Sequence, residues 1–269
     1  MQQGHALVEA DHVTKMYTSR EGDTVEALHD VSMSVADGEF VSIVGPSGCG
    51  KSTLVKMLCG LDQADGGFVR IGGETVSGPS SDVGIVFQNP VLLPWRSVLD
   101  NVRLPAQLKG RGRHEADRVK ELLELVGLSD FARRLPSELS GGMQQRVAIA
   151  RALVLDPRIL VMDEPFGALD AMTRERMQLE LLALWAQSNK SCVLVTHSIP
   201  EAVFLSDRVI VMSARPGRVL ADVEIDLPRP RTLAMTADVE YGRLVLKLRS
   251  FLDAEGMEEP SEGVGAGMT

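Results

Sequence analysis

The residues most informative about the fold are Gly45-Pro46-Ser47-Gly48-Cys49-Gly50-Lys51-Ser52-Thr53. They follow the apolar run 40–44 and lead into the mostly apolar run 54–58, which predicts a glycine-rich turn between a strand and a helix. In that setting the pattern G-x-x-x-x-G-K-[ST] indicates a phosphate-binding loop, whereas without it the segment would be only a loop rich in small residues.

Each residue type in this loop suits the binding of an anion. Gly48 and Gly50 can adopt positive φ, which lets successive backbone N–H groups point at one phosphate. The N-terminus of the following helix adds partial positive charge. Lys51 is predicted to reach the β- and γ-phosphates of a nucleotide, and the Ser52 hydroxyl is predicted to hold Mg²⁺.

Length and composition are typical of a soluble globular protein with one large or two small domains. The chain has 269 residues, of which 44% are hydrophobic and 24% are charged. No apolar run approaches the ~18 residues of a membrane span, and residues 1–5 lack the layout of a signal peptide. The cysteines Cys49, Cys59 and Cys192 are scattered and odd in number, which favours a reducing compartment over a disulfide framework. A cytosolic location is therefore predicted.

The net charge of −9 at pH 7 is concentrated at the C-terminus. Five carboxylates follow Arg249 with no further Lys or Arg, so the rest of the chain is only mildly acidic. A protein without a basic surface lacks the electrostatic footprint for nucleic acid, and no nucleic-acid partner is predicted. Residues 254–269 are acidic, rich in glycine and poor in large apolar residues, which predicts a disordered tail.

Short strands with tight turns dominate the first third of the chain. Alternation and turn residues predict strands at 6–17, 25–35, 39–44, 68–71 and 83–87. Asp37-Gly38 is predicted to be a hairpin turn. We expect the early strands to form a small antiparallel sheet beside the nucleotide-binding core.

The periodicity becomes helical after Ser97 and then returns to strands. Helices are predicted at 97–107, 115–126 and 143–155, as an inserted unit. Continuous apolar runs typical of parallel strands covered on both faces follow at 159–162, 192–195 and 209–212. A helix at about 173–186 supplies the crossover that parallel strands require, and a last helix is predicted at 241–252.

Two carboxylates, Asp163 and Glu164, end the apolar run 159–162. Ligands of open α/β sheets bind off the carboxyl ends of the strands, where Mg²⁺ and an attacking water would lie. Asp163 is predicted to orient the metal with Ser52, and Glu164 to polarise the water as general base. The alternative is that both are ordinary loop acids before the turn-forming Pro165.

A second motif, Leu139-Ser140-Gly141-Gly142-Met143-Gln144-Gln145-Arg146, precedes a predicted helix. Ser140 can cap that helix, and the two glycines let a large anion approach its N-terminus. Here the sequence resembles the ABC-type ATPase subunit, whose signature is LSGGQ-like, and the resemblance extends from Leu7 to about Pro230. Met143 stands where this family often has Gln.

The resemblance implies an α/β fold of the P-loop NTPase type. Its core would be a RecA-like parallel sheet, with an antiparallel β subdomain and an inserted helical subdomain. The ATPase domain would span residues 1–231 with the helical insert at about 89–157. Residues 232–253 would form a C-terminal helical extension, followed by the acidic tail 254–269.

The resemblance also implies ATP and Mg²⁺ as cofactors and assigns roles to four more residues. Tyr17 would stack on adenine, Gln88 would contact Mg²⁺ and water at the hinge of the insert, Asp170 would lie in the dimer contact, and His197 would sense the γ-phosphate. The plainer alternatives are a packing residue at a strand end, a turn residue, a helix N-cap and an ordinary loop histidine. Thus Glu164, His197, Gln88 and Lys51 are the catalytic candidates, and Ser52, Gln88 and Asp163 are the metal candidates. The nucleotide candidates are Tyr17, residues 45–53, Ser140, Gly141, Gly142 and Asp170.

One departure from the family follows His197, because Ser198 occupies the position where relatives usually carry Asp. Ser198-Ile199-Pro200-Glu201 is a capping-box pattern with Pro in the first turn. Ser can cap a helix as Asp does, so little beyond one negative charge is expected to be lost.

Two stretches resemble the nitrate, sulfonate and taurine importers within this family: 87–102, and 202–213 followed by Arg215-Pro216-Gly217. Leu92-Leu93-Pro94-Trp95 forms an apolar cluster where the family places the groove for a permease helix. Simple packing of the insert is the alternative explanation for that cluster.

The predicted function is that of an ATP-hydrolysing subunit of an importer for a small anionic solute. It would act at the inner face of the cell membrane on a separate permease, and indirectly with a solute-binding protein. Because the chain has one phosphate loop and one signature, two copies or a paralogue would sandwich two ATP. The alternatives are an importer subunit for a thiamine precursor or phosphonate, and a non-transport ABC ATPase; a P-loop kinase would lack Ser140-Gly141-Gly142.

Overall fold

The computed structural model describes residues 6–19, 22–110, 116–188 and 190–257. Most of the predicted acidic tail, from residue 258 onward, lies outside the described residues, as do residues 1–5. None of the helices described is both long enough and apolar enough to cross a membrane.

The first half of the chain alternates strands with one short helix before the helical insert begins. The elements in this half are β1 (Ala6–Thr18), β2 (Thr24–Ala36), β3 (Phe40–Val44), α1 (Lys51–Leu58), β4 (Gly66–Ile71), β5 (Glu74–Thr75), β6 (Val83–Val86), α2 (Val98–Leu108) and α3 (Ala116–Leu125). Two 3₁₀ turns, Ser129–Phe131 and Pro136–Glu138, follow α3.

The second half returns to alternating strands and helices. Its elements are α4 (Gly141–Leu153), β7 (Ile159–Asp163), α5 (Ala171–Ser188), β8 (Ser191–Thr196), α6 (Ile199–Leu205), β9 (Arg208–Met212), β10 (Val219–Glu224), a 3₁₀ turn (Leu233–Ala237) and α7 (Val239–Met257). Helix α7 continues past the boundary predicted at residue 253.

A six-stranded sheet in the order β10-β9-β3-β8-β7-β6 forms the centre of the molecule. All its pairs are parallel except the one that joins β10 to β9. Every residue of β3 and β8 is buried, as expected for parallel strands covered on both faces. The predicted α/β fold with a parallel core is confirmed.

Alternation along the central strands creates two separate hydrophobic cores. Phe40 and Val44 of β3 face the core built with the helices of the insert and α5 to α7. Val41 and Ile43 face the core shared with α1 and the second sheet. That second sheet is antiparallel, in the order β2-β1-β4-β5, and matches the antiparallel subdomain expected from the sequence.

The hairpin predicted at Asp37-Gly38 is wrong. Strand β2 pairs with β1, whereas β3 pairs with β8 and β9, so the turn carries the chain from one sheet to the other. Strands β5 and β10 were not predicted. β5 has only two residues, and β10 is an edge strand whose single buried residue is Val223, so neither has a strong apolar pattern.

Helix α7 packs against the helix-side core through one stripe of residues. Tyr241, Leu244 and Leu248 are buried at helical spacing, and the Tyr241 hydroxyl donates to the Pro200 carbonyl oxygen at 2.7 Å. Leu246, on the opposite face, is 66% exposed. The C-terminal helix is therefore part of the packed structure around α6.

This packing predicts unequal effects of two leucine truncations in α7. Leu248→Ala should lower the free energy of unfolding by about 2–5 kcal/mol, because it removes a fully buried side chain and leaves a cavity. Leu246→Ala is the matched control and should change it by less than about 0.5 kcal/mol. Denaturant melts of the three proteins measure the difference; equal effects would show that α7 does not dock as described.

Candidate nucleotide-binding site

The phosphate loop forms one wall of a cavity of about 490 Å³. Ser47, Gly48 and Lys51 line it from the loop, and Tyr17 and Glu164 line it from other elements. The cavity therefore brings together residues that lie far apart in the sequence but were predicted either to bind a nucleotide or, for Glu164, to act in its hydrolysis.

Glycine is required at two positions of the loop by its backbone. Gly48 has φ of 78° and Gly50 has φ of 102°, both in the region that side chains rarely adopt. A Cβ on Gly50 would lie 2.5 Å from the Ala27 carbonyl oxygen. The loop thus passes close against β2 before it turns into α1.

Lys51 folds back over the loop that carries it. Its Nζ donates to the carbonyl oxygens of Gly45 and Pro46, at 2.8 Å each, and its side chain is almost fully buried. These two carbonyls hold the ammonium at the cavity wall, where an incoming phosphate would meet it.

Ser52 and Asp163 meet where α1 begins and β7 ends. The Ser52 hydroxyl lies close to the Asp163 carboxyl. Burial raises the pKa of Asp163, and the nearby Ser52 hydroxyl opposes that effect. One hydroxyl and one carboxylate next to a phosphate site are the protein ligands that Mg²⁺ commonly uses, the remainder being phosphate oxygens and water. Among the described residues there is no cluster of three or more His, Cys, Asp or Glu side chains that could hold a metal alone.

Glu164 occupies an unusual backbone conformation next to His197. Its φ is 47°, in the left-handed region, and its N–H donates to the Val195 carbonyl oxygen at 2.8 Å. A carboxylate oxygen, Oε2, lies 3.2 Å from His197 Nδ1. Strain of this kind is concentrated at functional sites, because the surrounding structure must hold it.

Gln88 lies beside the same carboxylate. A Cβ on Gly167 would be 3.2 Å from Gln88 Nε2 and 3.6 Å from Glu164 Oε2, so the amide and the carboxylate approach one glycine. Gln88, Glu164 and His197 therefore form one polar cluster at the carboxyl ends of β6, β7 and β8.

Tyr17 lies at the far wall of the cavity and is partly exposed. Its hydroxyl donates to Asp62 Oδ2 at 2.8 Å, and Lys15 Nζ lies 5.5 Å from the ring centroid. Asp62 also accepts from Lys15 at 2.9 Å, so the ring is fixed by a small charged network. A ring held in this way can offer one face to a planar base.

The signature motif does not line this cavity. Ser140 caps α4 as predicted, its hydroxyl accepting from the Met143 N–H at 3.3 Å, and Gly141 is the first helical residue. Asp170 likewise caps α5, accepting from the Thr173 N–H at 3.0 Å. Ser140 and Asp170 are both exposed, and neither is among the residues that line the cavity of the phosphate loop.

The predicted capping box at α6 is only half formed. The Ser198 hydroxyl accepts from the Glu201 N–H at 3.4 Å, but the Glu201 carboxylate does not accept from the Ser198 N–H. That N–H donates instead to Thr196 Oγ1 at 3.0 Å, and Glu201 accepts from Thr196 and Gln178. Glu201 is buried between β8, α5 and α6, a position that local sequence spacing does not reveal.

Sequence reasoning also missed Arg215 as a cavity residue. It lies between β9 and β10 and lines the same cavity as Lys51 and Tyr17. In the sequence, the triplet Arg215-Pro216-Gly217 is part of the resemblance to the importers and has no predicted role of its own. No spacing rule connects residue 215 with residues 45–53, so only the folded chain brings them together.

Comparison with known proteins agrees with this geometry. Residues 28–167 match the family model described as ABC transporter. The chain is 44% identical over 240 residues to the aliphatic sulfonates import ATP-binding protein SsuB of Bacillus cereus, covering 89% of this chain and 94% of that protein. It is 49% identical over 224 residues to the taurine import ATP-binding protein TauB of Rhizobium johnstonii, covering 83% and 86%.

A solved structure is similar as well. It is a dimeric ATP-binding cassette in a post-hydrolysis state with ADP and Pi, matched with a TM-score of 0.71 and 36% identity. The match covers 82% of this chain and 100% of that one.

The buried Glu201 predicts a pH dependence of stability. Burial raises its pKa against the opposing hydrogen bonds from Thr196 and Gln178. A carboxyl whose pKa is raised by folding stabilises the native state below the unfolded pKa of about 4.3, and that contribution is lost as the pH rises through the folded pKa. Relative to Glu201→Gln, which cannot ionise, the wild-type protein should therefore lose stability as the pH rises from about 4 to about 8.

Thermal melts of both proteins across that pH range measure the difference in midpoint. Glu175→Gln, an exposed change on α5, is the matched control, and its difference from wild type should stay nearly constant. A constant difference for Glu201→Gln too would contradict the prediction.

Proposed function

This chain belongs to the ABC transporter family, and on that premise we propose that it is the ATP-hydrolysing subunit of an importer for a small sulfonate. The observation that carries the proposal is the shared cavity of the phosphate loop and Glu164. One wall binds a triphosphate, and the other presents a carboxylate where water would attack it.

Each residue around the cavity would have a separate role in binding or hydrolysis. Lys51 would bind the β- and γ-phosphates, and Tyr17 would stack on adenine. Ser52, Asp163 and Gln88 would hold Mg²⁺, which when bound neutralises phosphate charge. Glu164 would orient the attacking water and accept its proton. His197, 3.2 Å from that carboxylate, would hold it in place and contact the γ-phosphate.

The working unit would be a dimer of this chain with itself or a paralogue. Ser140, at the exposed N-terminus of α4, does not line the chain's own cavity, yet its helix end suits an anion. A second copy would place that end over the nucleotide held by the first. The solved structure to which this chain is similar is a dimer, which supports a two-copy unit.

The partner in the membrane would be a permease that contacts the helical insert. Trp95 is 73% exposed, although such rings are usually buried. The loop that carries it is tied to α2 by the buried Asn101, which accepts from the Leu93 N–H and donates to three loop carbonyls. A rigid loop with an exposed indole is suited to docking an apolar partner.

A second feature beside this loop supports the same assignment. An apolar cavity of about 360 Å³ lies between the insert and the central sheet, lined by Phe87, Val91, Leu104 and Leu108. Gln88, adjacent to Phe87, belongs to the cluster around Glu164, so docking and hydrolysis would be coupled through one short segment. The subunit would therefore work at the cytoplasmic face of the membrane.

We further propose the domain limits expected from the resemblance. Residues 1–231 would form the ATPase domain with its insert at about 89–157, and residues 232–253 would extend it. The transported solute is proposed from the sulfonate and taurine import proteins to which the chain is similar. The permease and its solute-binding protein would make the final selection.

Glu164→Gln should separate hydrolysis from binding. Loss of a general base should lower ATP turnover by about 10²–10⁴-fold while ATP still binds, because the phosphate loop is unchanged. Sizing with Mg-ATP should show a dimer that the variant retains for longer than the wild type. Glu74→Gln, on the exposed strand β5, is the control; a protein that stays monomeric at high concentration would count against the proposal.

Trp95→Ala should uncouple transport from hydrolysis. Taurine uptake by cells dependent on this subunit should fall at least tenfold, because one docking anchor is lost, whereas ATPase activity of the purified chain should stay within about twofold of wild type. Val239, at the start of α7, is also an exposed apolar residue. Val239→Ala is the control and should leave both uptake and ATPase activity unchanged. Full uptake with Trp95→Ala would remove Trp95 from the permease contact.

A further inference from the structure

Arg215 brings a second cation to the nucleotide cavity. It lies on the loop between β9 and β10, and its side chain lines the cavity together with Gly48 and Lys51. The guanidinium Nε donates to the Gly48 carbonyl oxygen at 3.3 Å, within the phosphate loop itself. No other hydrogen bond from its side chain to the described residues is formed, and the side chain is exposed to solvent.

The described residues supply no carboxylate partner for Arg215. None of their ion pairs includes it, whereas eight other described arginines are paired with a carboxylate. Glu164, the carboxylate that lines the cavity, lies next to His197 instead. An arginine without a carboxylate, fixed at the rim of a phosphate site, is well placed for a planar, doubly hydrogen-bonded contact with a phosphate oxygen pair.

The loop that carries Arg215 is pinned against the phosphate loop. The Gly217 N–H donates to the Ala27 carbonyl oxygen at 3.0 Å, and the His29 N–H donates back to the Gly217 carbonyl oxygen at 2.9 Å. A Cβ on Gly217 would lie 2.0 Å from the Cys49 carbonyl oxygen, so only glycine allows this approach. The position of Arg215 is therefore set by contacts with β2 and the phosphate loop.

The C-terminal helix adds a third support. The Ala214 N–H donates to Glu255 Oε2 at 2.8 Å, which ties the residue before Arg215 to the last part of α7. Helix α7 is anchored in turn by Leu244 and Leu248. The Glu255 side chain thus links the C-terminal extension to the rim of the nucleotide cavity.

We propose that Arg215 binds the phosphate chain of the nucleotide, and that Glu255 of α7 positions it by holding the backbone of Ala214. The inference rests on the proposed ATPase function and deepens it. It gives α7 a role in setting nucleotide affinity. The phosphate chain is favoured over the base because the guanidinium is bonded to the phosphate loop.

Nucleotide titration of the purified full-length chain tests the role of Arg215. Arg215→Ala should raise the Kd for ATP about tenfold, the usual scale for a lost charge-assisted hydrogen bond. The same factor is expected for GTP, because the lost contact is to phosphate. Arg218→Ala, which removes an exposed arginine three residues away, is the matched control and should leave both Kd values within about twofold.

Two results would overturn the assignment: an unchanged Kd, or a loss for ATP that is absent for GTP, which would indicate contact with the base. The wild-type titration keeps this separate from the function itself. If the wild-type chain binds no nucleotide, the proposed function fails; if it binds and Arg215→Ala binds equally well, only this inference fails.

A double-mutant cycle tests the positioning by Glu255. Glu255→Ala should weaken ATP binding about threefold, and Glu255→Gln, which keeps an acceptor oxygen, should restore it. In an Arg215→Ala background, Glu255→Ala should cause no further loss, because its effect passes through Arg215. Asp253→Ala, an exposed change in the same helix, is the control. Equal losses in both backgrounds, or no loss in either, would overturn the role of Glu255.

Discussion

The parallel register of β3, β8 and β7 is the constraint on which the site depends. Val44 pairs with Thr196, and Asp163 pairs with Val195, so the three strands end at the same edge of the sheet. The phosphate loop leaves β3, Glu164 follows β7, and His197 follows β8. A shift of one residue in any pair would turn these side chains to the other face, and the cavity would lose the wall that Glu164 forms.

The register is itself held by the burial of both faces of the central sheet. Residues of β3 alternate between a helix-side core and a core shared with the antiparallel sheet. A one-residue slip of β3 would point the side chains of each core into the other core, so both packed surfaces would be disrupted. Stability and the geometry of the cavity therefore rest on the same alternation.

Charge and backbone strain then adapt this edge for a highly charged ligand. The Lys51 ammonium is held by two carbonyls, and Glu164 keeps a left-handed backbone with its carboxylate beside an imidazole. The left-handed backbone of Glu164 costs free energy, and the surrounding contacts maintain it. The contact of Glu255 with Ala214 extends this supporting shell to the C-terminal helix.

Much of the fold and of the candidate site follows from local sequence. Asp163 ends the apolar strand β7, and Glu164 and His197 directly follow β7 and β8. Lys51 follows β3 after the glycine-rich loop, so strand periodicity and turn residues locate all four. Other features could not be read in this way. The turn at Asp37-Gly38 carries the chain between sheets, Glu201 turns from its cap toward Thr196, and Arg215 meets Gly48 from 167 positions away. The sequence determined which residues could bind phosphate, because that chemistry is local to a turn and a helix start. Only the tertiary structure decided which distant groups share the cavity and which helix end faces outward, because those depend on strand order and packing rather than on spacing.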